Sequence, residues 1–154
     1  MQKVERSIDV NVPVQVAYNQ WTQFEEFPEF MEGVEYVNQI DDTHLRWKAD
    51  VAGKSEEWEA EITEQDPDQR IAWKATGGKG TSGVVTFHRI DDKKTRVMLQ
   101  LDVEPEGPIE SVGAAVGLLE REVAGDLERF RDYIQGRGSE SGAWRGEVEQ
   151  TDVR

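Results

Sequence analysis

Two histidines are the side chains of this sequence best suited to acid–base or nucleophilic chemistry. His44 follows an Asp41-Asp42 turn signal, where an exposed side chain is expected. His88 lies in a predicted strand, in the register opposite to Phe87. A nucleophilic triad needs a histidine or a cysteine that faces a pocket, and the 154-residue sequence has no cysteine. We therefore predict no catalytic residue from the side chains alone.

Carboxylates are plentiful, but their spacing does not predict a catalytic or metal site. Glutamates alternate with apolar residues over 57–61, so they share the outer face of a strand if Trp58 faces inward. The pairs Asp41-Asp42 and Asp91-Asp92 are turn signals without the spacing of a calcium loop. The glycines of 77–80 lack the Lys-Ser/Thr end of a phosphate-binding loop. We expect neither a metal nor a cofactor.

Two charged residues are candidates for a polar group inside a cavity. Arg6 shares the strand register of Val4 and Ile8, so it could hold the carboxylate or enolate of a ligand. The alternative is that Arg6 lies near a strand end and extends to solvent. Glu120 borders the apolar stripe of a predicted helix beside Leu119. Facing a cavity, Glu120 would have a raised pKa and could act as an acid or base; facing outward, it would be solvated.

The elements that must position such residues begin with a repeated Trp-charge-Ala pattern. It occurs at 47–49, 58–60 and 73–75, in three consecutive predicted strands. Residues two apart point to the same face, so all three tryptophans share one face of an antiparallel sheet. Hairpin loops over 52–55 and 64–69 would place each tryptophan opposite an alanine. These rings form either a core or the lining of an apolar cavity.

The remaining elements follow from hydrophobic periodicity. Alternation predicts a first strand over Val4–Val12, and Pro13 then opens a helix. A short helix is expected over Glu25–Met31, six strands follow, and an apolar stripe predicts a long helix through Ile134. The predicted outer face of that helix carries Glu122, Asp126, Glu128, Arg129 and Asp132. Residues 1–136 are expected to form one domain, and 137–154 a flexible acidic, Gly/Ser-rich tail.

Four motifs resemble the polyketide cyclase/dehydrase-like branch of the START-like (SRPBCC) superfamily. They are Trp21-x-x-Phe24-x-x-Phe27-Pro28-x-Phe30-Met31, the hairpin from Trp47 to Gly53, Pro67-x-x-Arg70-Ile71-Ala72-Trp73, and Gly83-x-Val85-x-Phe87. The resemblance implies an α+β helix-grip fold: a seven-stranded antiparallel sheet wraps a long C-terminal helix, with two short helices between strands 1 and 2. It also implies that Phe87 points inward and His88 outward, and it supplies no catalytic residue.

The resemblance further implies an apolar cavity between the sheet and the C-terminal helix. We predict it beneath the small-residue half of the helix, near Gly113 to Leu119. The candidates for its lining are Trp47, Trp58, Trp73, Phe87, Leu99, Leu101, Val112, Ala115, Val116, Leu119 and Val123. The candidates for its entrance are Phe27, Phe30 and Met31. Arg6 and Glu120 remain its polar candidates.

Composition limits the partners. The sequence has 32 Asp and Glu against 18 Lys and Arg, a formal net charge of −14, which disfavours nucleic acid. No apolar run approaches the length of a membrane span, and we expect a cytoplasmic protein. The predicted function is binding or transport of a small apolar molecule, lipid-like or polyketide-like. The alternatives are a cyclase or dehydratase-like enzyme, and an interaction domain with a vestigial cavity. Monomer and homodimer both remain open.

Overall fold

A computed structural model describes residues 2–51, 54–78, 82–103 and 109–148 of the chain. Seven strands and two α-helices make up most of this part. The strands are β1 (Gln2–Val10), β2 (Val34–Gln39), β3 (His44–Val51), β4 (Lys54–Asp66), β5 (Arg70–Gly78), β6 (Ser82–Asp91) and β7 (Lys94–Val103). The helices are α1 (Val14–Trp21) and α2 (Ile109–Arg137), with a 3₁₀ helix over Phe24–Glu29. These elements confirm the predicted order.

The strands form one antiparallel sheet in the order β1-β7-β6-β5-β4-β3-β2. Strands β2 to β7 are a meander, since each pairs with the next in sequence, and β1 joins its far edge by pairing with β7. Short turns between the strands explain this order, because a short connection can only join antiparallel neighbours. The sheet curls around α2, which confirms the helix-grip fold.

The core lies between the inner face of the sheet and the two helices. The stripe of α2 supplies Leu127, Phe130 and Ile134, none more than 2% exposed. The ring of Trp21, at the end of α1, packs edge-on against Phe130 with centroids 4.9 Å apart. Offset and edge-to-face contacts of this kind add to the stabilisation from burial. The C-terminal half of α2 is therefore clamped against α1 and the 3₁₀ helix.

The register of the tryptophan strands differs from the prediction. All three tryptophans do face the core side of the sheet, as expected from their shared parity. However, Trp47 lies directly opposite Trp58, not opposite an alanine. The reason is that β3 extends to Val51 and β4 begins at Lys54, so only residues 52–53 connect the two strands. Strand β5 also runs to Gly78, so Gly77 and Gly78 extend a strand where a loop was expected.

The segment after α2 also differs from the prediction of a flexible tail. Arg145 donates hydrogen bonds to Asn19 (2.6 Å) and to Asp68 (2.8 Å). The backbone of Val148 pairs with that of Gln65, through N–H···O distances of 2.7 and 2.9 Å. This bridge forms on β4 beyond the end of β3, where the edge of β4 would otherwise lack a partner. Residues 139–148 therefore lie against α1 and β4, while 149–154 fall outside the described residues.

Neither α-helix, within the residues that are described, is long and apolar enough to cross a membrane.

Candidate functional site

A cavity of about 480 Å³ lies between the inner face of the sheet and the middle of α2. This volume is within the range of small-molecule sites, about 300–1,000 Å³. Its apolar lining comes from α1, the 3₁₀ helix, five strands and α2. The apolar side chains are Trp21, Phe24, Phe27, Met31, Val34, Leu45, Trp47, Ala49, Trp58, Ile62, Ile71, Trp73, Leu99, Leu101, Leu119, Val123 and Leu127. Charged side chains border it at Glu32, Asp50, Arg121, Glu122, Asp126 and Arg129.

Trp47 and Trp58 form one wall of the cavity. Their rings are stacked, nearly parallel at 5° and with centroids 5.7 Å apart. The two indole nitrogens are buried from solvent and have no hydrogen-bond partner among the described residues. Since no water-sized group can reach those nitrogens, the rings present hydrocarbon to the cavity. Such a wall favours the flat, apolar part of a ligand.

Trp73 has its position because Gly83 stands opposite it on β6. A β-carbon at Gly83 would lie 3.0 Å from the Trp73 ring and 2.6 Å from the carbonyl oxygen of Gln100. Carbon atoms do not approach a backbone oxygen that closely, so any side chain at Gly83 would push the strands apart. The glycine in the motif Gly83-x-Val85-x-Phe87 thus makes room for a tryptophan of the cavity wall.

Two of the three entrance candidates lie at the cavity. Phe27 and Met31 both line it, and Phe27 packs 5.5 Å from the ring of Trp47. Phe30 does not line it: its side chain is 1% exposed and contacts Phe130 at 5.1 Å between centroids. The 3₁₀ helix ends between Phe27 and Phe30, so these two side chains leave it in different directions.

Acidic side chains of α2 reach the cavity, contrary to the predicted outer face. Glu122 and Asp126 lie one turn apart and follow Leu119 and Val123 along the same side of the helix. Burial, together with the Asp126 and Asp50 carboxylates, raises the pKa of Glu122. Burial also raises the pKa of Asp126, although Arg129 acts against that shift. Two carboxyl groups with reduced acidity therefore border an apolar space.

Arg129 connects the acidic side chains of α2 to the segment that follows the 3₁₀ helix. It donates hydrogen bonds to Asp126 at 2.5 Å and to the backbone oxygen of Phe30 at 3.0 Å, and it forms an ion pair with Glu32 at 2.8 Å. These contacts join α2 to the segment after the 3₁₀ helix, at the rim of the cavity. Glu122 makes no comparable ion pair or hydrogen bond with any side chain that the structure describes.

Sequence reasoning missed Glu122, Asp126 and Arg129. The predicted apolar stripe leaves these three residues on the opposite face of the helix. Glu122 follows Leu119 by three residues and Asp126 follows Val123 by three, which is the spacing of a shared helix face. That spacing was the available signal, and it indicates a stripe that becomes mixed where α2 passes over the cavity.

The predicted lining residues divide into three groups. Seven of them border the cavity: Trp47, Trp58, Trp73, Leu99, Leu101, Leu119 and Val123. Phe87 and Val116 do not; Phe87 packs against Tyr18 at 5.4 Å, and Val116 is half-buried against the core. The side chains of Val112 and Ala115 fall outside the described residues. The described lining on α2 begins at Leu119, so it extends C-terminal to the predicted small-residue half.

The two polar candidates do not line the cavity. Arg6 donates to Glu120 at 3.1 Å, across the contact between β1 and α2, and their side chains are 47% and 39% exposed. An exposed ion pair of this kind contributes little to stability, about 0–1 kcal/mol. Arg6 therefore follows the alternative interpretation, in which its side chain extends toward solvent.

The histidines also lie outside the cavity. His88 is exposed and lies 2.9 Å from the hydroxyl oxygen of Thr86 on the outer face of β6. His44 contacts the Asp41 carboxylate at 2.8 Å, and this hydrogen bond raises the pKa of His44. Across the described ranges, no three His, Asp or Glu side chains are grouped closely enough to share a metal ion.

Comparisons with known proteins agree with this architecture. Residues 10–131 match the sequence profile of the family described as polyketide cyclase/dehydrase and lipid transport. An uncharacterized 17.2 kDa protein of Streptomyces lincolnensis is 55% identical over 149 residues, covering 96% of this chain and 99% of its own.

Solved structures share the fold at low sequence identity. A protein of Thermus thermophilus superposes with a TM-score of 0.78 at 21% identity, covering 90% of this chain and 100% of its own. The Zhui aromatase/cyclase from Streptomyces sp. R1128 gives 0.75 at 18% identity, with 93% and 99% covered. A START superfamily protein from Mycobacterium smegmatis gives 0.69 at 14% identity, with 88% and 95% covered. The chain belongs to the polyketide cyclase/dehydrase and lipid transport family.

Proposed function

We propose that this protein binds a small, mainly apolar organic molecule in the cavity between the sheet and α2. The observation that carries the proposal is the unfilled volume of about 480 Å³ beside three tryptophans. Protein interiors are normally close-packed, and an empty space of this size costs stability. A binding function explains why the space is kept. A lipid-like or polyketide-like molecule with a flat ring system fits the stacked wall of Trp47 and Trp58.

The interaction-domain alternative receives less support. A filled core with an exposed apolar patch would favour it. Within the described residues, the exposed large apolar side chains are Ile40 and Ile90. Ile40 directly follows β2, and Ile90 lies near the end of β6. Three strands separate β2 from β6 in the sheet, so these two side chains do not form one apolar patch.

Binding is tested with the neutral fluorophore N-phenyl-1-naphthylamine, whose emission rises in an apolar site. Ala49 lines the cavity, and Ala49→Leu places three additional carbons there. We expect this variant to bind the fluorophore about tenfold more weakly while its melting temperature changes little, because the side chain enters empty space.

The matched control is Ala60→Leu. Ala60 is fully buried on β4 but does not line the cavity. The same side-chain change should cost about 1–3 kcal/mol of the free energy of unfolding, because it overpacks filled core. The folded variant should still bind the fluorophore. No binding by the wild type, or equal binding by Ala49→Leu, would reject the cavity as a site.

A cyclase or dehydratase-like activity is the second candidate, favoured by Glu122 and Asp126 at the cavity. A carboxyl group with a raised pKa keeps its proton to a higher pH than a solvated one, which suits it to act as an acid and as a base. An intramolecular aldol condensation needs a proton removed from a carbon between two carbonyls, and later loses water. The test is the appearance of an aromatic product from a linear poly-β-ketone. Glu122→Gln should abolish it; product that also forms with the variant would exclude Glu122 as the acid–base group.

A further inference from the structure

The rim of the cavity carries an excess of negative charge. Four carboxylate residues and two arginines border it, the carboxylates being Glu32, Asp50, Glu122 and Asp126. The rest of the lining is apolar. The cavity thus has a hydrocarbon interior and an acidic end, next to α2 and the segment around Glu32.

The arginines do not offset this excess at Glu122. Arg129 is held by Asp126 at 2.5 Å and by Glu32 at 2.8 Å, with a third bond to the oxygen of Phe30. Arg121 is exposed. The described charges that raise the pKa of the Glu122 carboxyl, after its burial, are both negative, namely Asp126 and Asp50. Glu122 is half-buried and Asp50 is exposed, so solvent screens the charge of Asp50 more than that of Glu122.

We propose that the occupant of this cavity is a cationic amphiphile, an apolar ring or chain bearing one protonated amine, with the amine held at Glu122 and Asp50. The inference rests on the proposed binding function and names the class of its ligand. An ammonium group at the rim would relieve the repulsion between Glu122, Asp50 and Asp126, while the hydrocarbon part would lie along Trp47 and Trp58. A ligand carboxylate would add a further negative charge to the same place.

The proposed occupant is organic, not a metal ion. The carboxylates at the rim do not come together as a group of three or more that could share a metal, within the residues described. A single ammonium needs only one or two acceptors, and its apolar portion accounts for the cavity that a metal ion would leave empty.

The test uses three ligands that share a naphthalene ring and differ in charge. They are the cation of 2-(1-naphthyl)ethylamine, neutral 1-ethylnaphthalene and the anion 1-naphthaleneacetate. Each displaces N-phenyl-1-naphthylamine from the wild-type protein at low salt. We expect the amine to bind about tenfold more tightly than the acetate, with ethylnaphthalene between them. Binding of the fluorophore without preference among the three would overturn the cationic ligand but leave the cavity as a site. No binding of the fluorophore would overturn both.

Glu122→Gln should reduce the preference for the amine about fivefold, since one unit charge at the rim is lost. The matched control is Glu128→Gln, which removes the same charge from an exposed position of α2 that does not line the cavity. An equal reduction in both variants would mean that the net charge of −14, not the rim, attracts the amine, and would overturn the proposal. Asp50→Asn is a second variant, expected to act in the same direction as Glu122→Gln.

Discussion

The indole ring of Trp47 lies directly across from that of Trp58, parallel to within 5° and with 5.7 Å between their centroids. The hairpin that joins β3 to β4 sets this relationship, because its short connection pairs residue 47 with residue 58. Two large rings that face each other on neighbouring strands cannot interdigitate with small neighbours. They stack instead, and the space beside them remains open as the cavity.

The stacked pair should show energetic coupling. Trp47→Leu, Trp58→Leu and the double variant form a double-mutant cycle, with the free energy of unfolding measured in urea. We expect a coupling of about 0.5–1.5 kcal/mol, since each ring loses its partner in the single variants. The control cycle is Trp47 with Trp73, which lie on strands separated by β4 and should couple by less than about 0.5 kcal/mol. Equal coupling in both cycles would contradict a specific stacking contact.

Glu122→Gln should raise the melting temperature at pH 7 by about 1–2 °C. The pKa of Glu122 is raised in the folded protein, first by burial and then by Asp126 and Asp50. A carboxyl group with a raised pKa stabilises the fold while it is protonated at low pH, and this contribution is lost as the pH rises through the folded pKa. A glutamine at position 122 carries no charge at neutral pH, so it avoids the cost of burying a carboxylate beside Asp126 and Asp50.

Below about pH 4 the wild-type carboxyl is protonated in both states, so the two proteins should melt at similar temperatures. Thermal scans between about pH 3 and 8 measure the difference. A variant that is less stable than the wild type at pH 7 would show that the Glu122 carboxylate is stabilised by a favourable contact. A gain at neutral pH, together with weaker amine binding, is the pattern expected where a binding site is kept at the expense of stability.

Arg145→Ala should cost about 1–2 kcal/mol of the free energy of unfolding. The guanidinium donates to Asn19 and Asp68 and lies 5.6 Å from the centroid of the Tyr18 ring. Its loss removes three contacts that hold the chain after α2 to α1 and to the turn after β4. Chemical denaturation measures the change.

The matched control for Arg145 is Arg131→Ala. Arg131 pairs only with the adjacent Asp132, among the described residues, and that carboxylate is 69% exposed. This variant should lose less than about 0.5 kcal/mol. If Arg145→Ala costs no more than Arg131→Ala, the docked segment contributes little to stability, as the sequence had indicated.

Periodicity was enough to predict the elements of this fold. The alternation in β1, interrupted only by Arg6, and the apolar stripe through Ile134 are local signals, and they depend only on the geometry of a strand or a helix. The parity of Trp47, Trp58 and Trp73 is local in the same sense, so their shared face could be predicted without knowing the register. The exposure of His88 followed from the same alternation once Phe87 was taken to face inward.

The exact pairing of the strands could not be predicted, because it depends on hairpin length. A loop of 52–55 and one of 52–53 differ by two residues, and that shift replaces an alanine opposite Trp47 with Trp58. Both loops satisfy the hydrophobic pattern equally, since a shift of two keeps every side chain on its own face. Only the assembled sheet distinguishes them.

By itself the sequence determined the strand and helix order, the inward face of the tryptophans and the acidic character of the surface, because each follows from the spacing or the number of residues. Tertiary structure decided which part of the mixed face of α2 meets the cavity, so that Glu122 and Asp126 border it, and it alone decided that Arg145 docks on Asn19 and Asp68. These contacts join residues far apart in sequence. They depend on where α2 crosses the curled sheet, and the local spacing of residues does not predict the angle or the distance between the helix and the sheet.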